Sequence, residues 1–79
     1  MKLAISNKIK GLMNFKGKKS YELAEYFGIS APAMRNKISR DSFSAEDLIK
    51  IAAFLEIDLA FISDTQKTIL DMDDIKAAE

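Results

Sequence analysis

The stretch ELAEYFGISAPAMRNKISRD, residues 22 to 41, has the residue types of two short helices joined by a tight bend. Ala24 is small enough to let two helices approach closely, and Gly28 can take the left-handed conformation in which helices often end. Ile29 follows in the bend, where an apolar side chain can seal the pair. The spacing therefore predicts two abutting helices, which are the parts of a helix-turn-helix.

The second helix of this pair is predicted over about residues 31 to 39. Ser30 is a suitable N-cap, and Pro32 fits the first turn because its missing N–H breaks no intrahelical hydrogen bond there. Met34 and Ile38 are one helical turn apart and can face inward. The remaining positions of this helix are therefore expected to point outward.

Further helices are predicted on both sides of the pair. A helix over about residues 6 to 15, with Ser6 as a possible cap, is predicted by an apolar stripe at helical spacing: Ile5, Ile9, Leu12 and Met13. Another over about residues 45 to 56 is predicted by Ser44, by the acidic residues in the first turn, and by a second apolar stripe: Leu48, Ile51, Ala52 and Leu55. The pair and its two neighbours together give four helices.

The segment after the fourth helix favours a β-hairpin. Residues 59 to 63 and 67 to 70 are runs of strand-forming residues, and Asp64-Thr65-Gln66 between them suits a loop. A short fifth helix over residues 58 to 63 is the alternative interpretation. The expected fold class is therefore mostly α, with four helices followed by a short C-terminal β-hairpin or by a fifth helix.

The formal net charge of the 79-residue chain is zero, but its two halves differ in sign. Residues 1 to 40 contain nine basic and two acidic residues, a balance of +7, whereas residues 41 to 79 contain three basic and ten acidic residues, a balance of −7. One interpretation is a basic surface that meets a polyanion and an acidic surface that faces away from it. Charge balancing within the molecule is the alternative.

The composition argues against an enzyme and against a metal protein. The chain has no Cys and no His, and it contains no paired acids or glycine-rich phosphate loop that could form a catalytic site. Asp71, Asp73 and Asp74 lack the glycine turn and the distal glutamate of a calcium loop, so a solvated tail is the simpler interpretation. We expect no catalysis, no cofactor and no metal.

The sequence also lacks the features of a membrane or exported protein. Its first residues do not contain the apolar core of a signal peptide, and no segment approaches the roughly 18 apolar residues of a membrane span. We therefore expect a cytoplasmic protein with no membrane partner.

Residues 19 to 42 resemble the helix-turn-helix of the lambda-repressor-like, Cro-type (XRE-family) DNA-binding proteins, and the layout of residues 5 to 57 is similar too. The segment NKISRDSFSAEDLIKIAAFLEIDLAFI, residues 36 to 62, resembles more narrowly the small phage- or mobile-element-related regulators of that family. The resemblance implies that helix 3 enters the major groove of DNA. It further implies base or groove contact by Ala31, Pro32, Ala33 and Asn36, and DNA backbone contact by Lys19, Ser20, Arg35, Lys37, Arg40 and Ser42.

The side chains of helix 3 suit the major groove on chemical grounds as well. Ala31, Pro32 and Ala33 would allow close approach and could touch the methyl group of thymine, while Asn36 could pair both ways with adenine. Two simpler interpretations remain open, namely that Ala-Pro-Ala is only a helix start and that Asn36 is only a solvated polar residue. Nearby cations would add affinity for DNA that depends on salt concentration but not on base sequence: Lys16, Lys18, Lys19, Arg35, Lys37 and Arg40.

The leading hypothesis is a sequence-specific, double-stranded DNA-binding transcriptional regulator, a repressor that acts as a homodimer. Under this hypothesis the chain is divided into a DNA-binding domain (1 to 57), a dimerisation element (58 to 72) and an acidic tail (73 to 79). The dimer contact is placed in the middle segment because its apolar side chains exceed what a small core can use: Leu59, Phe61, Ile69 and Leu70. The alternative hypothesis is an antitoxin-like or adaptor module that binds a partner protein.

Overall fold

The computed structural model describes residues 4–77. Four helices are followed by a two-stranded antiparallel hairpin and a short helix, which confirms the predicted fold class, and the alternative of a helix over residues 58 to 63 is wrong. The chain divides between Phe43 and Ser44 into two compact units, called here the N-terminal unit and the C-terminal unit. The elements are α1 (Ile5–Lys16), α2 (Ser20–Phe27), α3 (Ala31–Ser39), α4 (Ala45–Leu55), β1 (Leu59–Ile62), β2 (Lys67–Leu70) and α5 (Met72–Ala77).

The bend between α2 and α3 forms as the sequence predicts. Gly28 has a φ of 72°, in the left-handed region where a side chain would be strained, and the N–H of Ile29 donates to the carbonyl of Ala24 at 3.0 Å. Ser30 caps the next helix, because its Oγ accepts a hydrogen bond from the N–H of Ala33 at 3.2 Å. These contacts fix where α3 begins and in which direction it leaves the bend.

The buried side chains of the N-terminal unit come from all three of its helices. Leu23 and Met34 are completely buried, and both belong to the helical pair. Leu12 has the spacing of the inner face of α1 but is 39% exposed, so this part of the predicted stripe is wrong. The other buried apolar residues of the unit are Ile9, Met13, Ala24 and Ile38.

The start of α1 is capped by a distant residue rather than by Ser6. The helix begins at Ile5, and Ser6 is buried within its first turn. Its backbone N–H donates to the carboxylate of Asp41, a residue with a φ of 53° that follows α3. Asp and Asn tolerate this backbone region better than other side chains do. The carboxylate therefore ties the start of α1 to the end of α3.

The C-terminal unit begins with α4, whose start is capped as predicted. Ser44 Oγ accepts a hydrogen bond from the N–H of Asp47 at 3.0 Å, and the Asp47 carboxylate accepts one from the N–H of Ser44 at 3.0 Å. Leu48 is only half-buried, whereas its neighbour Ile49, which the predicted stripe left out, is buried. The other buried residues of α4 are Ile51, Ala52 and Leu55.

The hairpin pairs Leu59 with Leu70 and Ile62 with Lys67, so that four residues, 63 to 66, connect the strands. The predicted loop was one residue shorter. The N–H of Ser63 donates to the carbonyl of Gln66 at 2.8 Å, so these two residues face each other in the register of the strands and close the loop.

The short helix α5 lies where the sequence predicted only an acidic tail. Asp71 Oδ1 accepts a hydrogen bond from the N–H of Asp73 at 3.0 Å, and Asp74 Oδ2 accepts one from the N–H of Asp71 at 2.8 Å. The acids thus satisfy N–H groups at the helix start, where negative charge is favourable. Residues 78 and 79 of the predicted tail lie outside the described residues.

None of the helices over residues 4–77 has both the length and the apolar character needed to cross a membrane.

Candidate nucleic-acid interface

The outward face of α3 is the surface that the sequence singles out for base contact. Met34 and Ile38 turn inward and are buried, which leaves the opposite side of the helix accessible. Ala31 is half-buried, so it is the least accessible of the four predicted base contacts. The outward face consists of exposed Pro32, Ala33, Arg35 and Asn36.

The segment after α3 holds a second group of predicted DNA contacts close together. Lys37 Nζ donates to the carbonyl of Ser42 at 3.4 Å, and Ser42 Oγ donates to the carbonyl of Lys37 at 3.5 Å. The N–H of Ser42 also donates to that same carbonyl at 3.1 Å. These contacts fold the chain after α3 back against its last turn, with the Arg40 side chain exposed beside them.

Lys19 and Ser20 lie at the start of α2. The N–H of Lys19 donates to Glu22 Oε1 at 2.9 Å, so α2 begins at Ser20 with one of its terminal donors satisfied. The positive end of the helix dipole and the exposed Lys19 side chain are then on the same turn. This arrangement is suited to an anion.

The N-terminal unit contains an open groove of about 870 Å³ that brings cations together from different parts of its chain. Four basic side chains line it: Lys10 from α1, Lys18 and Lys19 from the connector, and Arg35 from α3. The other lining residues of this basic groove are Ala4, Ser6, Asn7, Met13, Asn14, Ser20, Ile38, Ser39 and Asp41. Asp41 is the one acid among them, and its carboxylate accepts the N–H of Ser6.

The predicted backbone contacts therefore fall into two groups. Lys19, Ser20 and Arg35 line the basic groove, whereas Lys37 and Ser42 contact each other outside it. The groove also includes three residues of α1 that our sequence interpretation did not single out: Asn7, Lys10 and Asn14. Their spacing of three and then four residues, which places them on one helical face, is the signal that could have found them.

The predicted dimerisation residues differ in accessibility. Phe61 is 72% exposed and Ile69 is also exposed. Leu59 and Leu70 are half-buried, so they have less accessible surface for a dimer contact. Ile62 is 77% exposed, although it is not one of the predicted dimerisation residues. The apolar surface of the hairpin is therefore concentrated towards its loop.

Among residues 4–77, the structure brings together no three acidic side chains in a group that could hold a metal ion.

Comparison with known proteins gives one family match. Residues 4–69 match the family described as Bacteriophage CI repressor helix-turn-helix domain, a span that includes α1 to α4, β1 and most of β2. No curated protein and no solved structure gives a significant match. The predicted resemblance to lambda-repressor-like, phage-related regulators is confirmed. The chain belongs to the bacteriophage CI repressor helix-turn-helix domain family and is a DNA-binding regulator.

Proposed function

We propose that the chain is a sequence-specific transcriptional repressor that binds double-stranded DNA as a homodimer, with α3 in the major groove. The observation that carries this proposal is the outward face of α3, where small side chains and one amide are exposed together with the cation Arg35. The repressor role is supported by the description of the family to which the chain belongs. Such a regulator would work in the cytoplasm, where the DNA of a bacterium and its phages lies.

The base contacts in this proposal come from the middle of the outward face. The major groove admits an α-helix, and the thymine methyl group there is accessible to small apolar side chains such as Pro32 and Ala33. Asn36 lies one turn further along α3, where its amide can pair with N6 and N7 of adenine. Ala31 is half-buried and contributes less, as part of the close approach at the helix start.

The proposed DNA backbone contacts form two groups. Lys19, Ser20 and Arg35 line the basic groove. Lys37, Arg40 and Ser42 form the other group, in which Lys37 would exchange its long contact with the Ser42 carbonyl for a phosphate. Phosphate contacts fix the orientation of a protein on DNA without specifying sequence. Both groups would therefore set the register of the outward face of α3 against the base pairs.

The dimer contact in this proposal is the hairpin. A two-stranded hairpin has little stability of its own, and Phe61 and Ile62 expose large apolar side chains near its loop. Pairing two copies across a two-fold axis would cover this surface, and a two-fold dimer is expected to read half-sites about one helical turn of DNA, roughly 34 Å, apart. The functional division is then DNA binding by residues up to 57 and dimerisation by residues 58 to 72.

The test is a selection of bound sequences from a random duplex pool, first with the unaltered protein. We expect a pseudo-palindrome with half-sites about one helical turn apart. The selection is then repeated with Arg35→Ala and Lys19→Ala, which should weaken binding to all sequences alike, and with Asn36→Ala, which should blur the preference at one position of each half-site. Equal loss on all sequences for the three variants would refute the assignment of base and backbone contacts.

A weak interaction with every duplex, independent of salt, would instead contradict the DNA-binding geometry as a whole. Contacts with phosphates release counterions, so the logarithm of the binding constant should fall with the logarithm of salt concentration by about 0.9 for each phosphate neutralised. The protein-binding alternative predicts no such slope. The two interpretations can therefore be separated with a single duplex at several salt concentrations.

A further inference from the structure

We propose that α1 forms one side of the binding site for the DNA backbone. In this site Lys10 and the side-chain amides of Asn7 and Asn14 bind phosphates next to Arg35. This inference rests on the proposed function and extends it to a helix that lies outside the helix-turn-helix pair. It is carried by the composition of the basic groove and by a glycine on the surface of α1.

The basic groove has the charge of a polyanion site. Its lining contains four basic residues and a single acid, which gives a balance of +3, although the chain as a whole is neutral. The acid, Asp41, accepts a hydrogen bond from the start of α1 and so has a structural role. Cations gathered on one concave surface repel one another, and this repulsion is relieved when a polyanion occupies it.

The cations that line the basic groove come from segments that are distant in sequence. Binding of an anionic ligand is the simplest reason for them to lie together in the fold. Lys10 lies on α1, Lys19 at the start of α2 and Arg35 on the outward face of α3. Arg35 thus belongs both to the groove and to the surface proposed to enter the major groove. A DNA backbone that borders the major groove at α3 would therefore continue along the side formed by α1.

Gly11 provides a second, independent observation. It lies in the middle of α1, where glycine is less favourable for helix stability than alanine. Apart from its chain neighbours and the backbone of α1 itself, no heavy atom of the described residues lies within 4 Å of the place where a Cβ would be. Internal packing therefore gives no reason for a glycine here. Asn7, Lys10, Gly11 and Asn14 are spaced as neighbours on one helical surface, so the glycine leaves room for close approach beside the groove.

The occupant that fits these features is the sugar–phosphate backbone of the duplex read by α3. Lysine binds phosphate as a point charge, and the side-chain amides of asparagine donate hydrogen bonds to phosphate oxygens. The groove is open and is lined by residues of several elements, rather than closed around a small molecule. A backbone can pass through it while the outward face of α3 reads the bases.

The test compares Lys10→Ala with Lys8→Ala, because both lysines are exposed on α1 and only Lys10 lines the basic groove. Both variants lose one charge, so a difference between them reports contact rather than net charge. For Lys10→Ala we expect the salt slope to decrease by about 0.9 per protomer and affinity to fall about eightfold per protomer at 0.1 M salt. For Lys8→Ala we expect a slope equal to that of the unaltered protein.

A second variant, Gly11→Leu, tests the close approach without changing charge and without adding a group that could bind phosphate. Leucine is a better helix former than glycine, so the variant should unfold at a higher temperature than the unaltered protein. Its longer side chain should nevertheless weaken binding several-fold on selected and random duplexes alike. This combination of higher thermal stability and lower affinity is not expected of a residue that has no contact with DNA.

The inference stands only if both differences appear. Equal salt slopes for the two lysine variants, or unchanged affinity for Gly11→Leu, would overturn it. Binding of inorganic pyrophosphate that depends on Lys10, with no change in the DNA salt slope, would also overturn it by assigning the groove to a free anion. Arg35→Ala serves as the reference: if it loses affinity while Lys10→Ala does not, α1 is excluded, and if neither does, the proposed function itself fails.

Discussion

The outward face of α3 and the hairpin both expose side chains, but they expose different chemistry. On α3 the exposed residues are small or polar, as in Pro32 and Asn36, whereas the hairpin exposes Phe61 and Ile62 by more than two thirds of their surface. Base edges and phosphates are matched by small, amide and cationic groups, and large apolar side chains are matched by another protein surface. The type of exposed residue, more than the exposure itself, indicates the class of partner.

The two regions also differ in what supports them. The outward face of α3 lies opposite Met34, which is completely buried, so the surface is held by the core of the N-terminal unit. The hairpin has only two strands, and a two-stranded sheet is marginal in water without further packing. We infer that α3 presents a rigid surface to DNA, whereas the hairpin gains stability when a second copy covers it.

The largest effect should come from removing the support of α3. Met34→Ala deletes a completely buried side chain and should lower the free energy of unfolding by about 2 to 5 kcal/mol, most or all of the stability of so small a domain. Urea unfolding followed by circular dichroism measures it. Asn36→Ala on the exposed side of the same helix is the control and should unfold like the unaltered protein. Similar losses for both variants would mean that α3 has no distinct inner and outer face.

The next effect tests the hairpin. The double variant Phe61→Ser, Ile62→Thr removes the most exposed apolar side chains near its loop and should weaken a dimer by about 2 kcal/mol or more, as loss of interface anchors does. Sedimentation at tens of micromolar should then show a monomer. Phe15→Ser is the control, because Phe15 is even more exposed, at 83%, but lies on α1. If the control dissociates and the hairpin variant does not, the dimer contact has been placed in the wrong region.

A smaller effect tests the reading of sequence by α3. Asn36→Ala should reduce discrimination at one base pair of each half-site by about 1 to 3 kcal/mol, because a bidentate contact with adenine is lost. Competition between the selected duplex and singly substituted duplexes measures this. Ser39→Ala removes another exposed polar group from the same helix and should leave the base preference unchanged. A uniform loss over all substituted duplexes would make Asn36 a backbone contact.

The smallest effect tests the helix that follows the hairpin. Asp71→Ala removes the carboxylate that accepts the N–H of Asp73, and loss of such a cap costs about 1 kcal/mol. Amide hydrogen exchange over α5 should become faster, with exchange in α3 unchanged. Asp64→Ala in the hairpin loop is the control for loss of one negative charge. Equal protection of α5 in Asp71→Ala and the unaltered protein would contradict the role of this cap.

The sequence was most informative where a structural signal is local. Gly28 and Ser30 each determine the backbone within a few residues of themselves, and both act as predicted. Asp71 and Asp74 also form a local signal, but acidic residues at this spacing suit a solvated segment as well as the start of a helix. The sequence therefore gave no reason to choose the helix, and α5 was missed.

The rest could not be predicted because it depends on residues that meet only in the folded chain. Ser6 looks like a helix cap, yet its N–H is satisfied by Asp41, which lies 35 residues away. In the same way, Lys10 looks like one of many surface lysines until the fold places it in a groove with Arg35. Individual candidate residues of the site were accessible from sequence, but the groove that joins them was not.

The most direct test of the proposed DNA-binding geometry is nuclear magnetic resonance of the labelled protein bound to its selected duplex. We expect intermolecular Overhauser contacts from the Ala33 methyl group and the Asn36 side-chain amide to base protons and thymine methyl groups of the major groove. Contacts from these two groups to adenine H2 in the minor groove, or none to DNA while residues of the hairpin make them, would contradict the placement of α3.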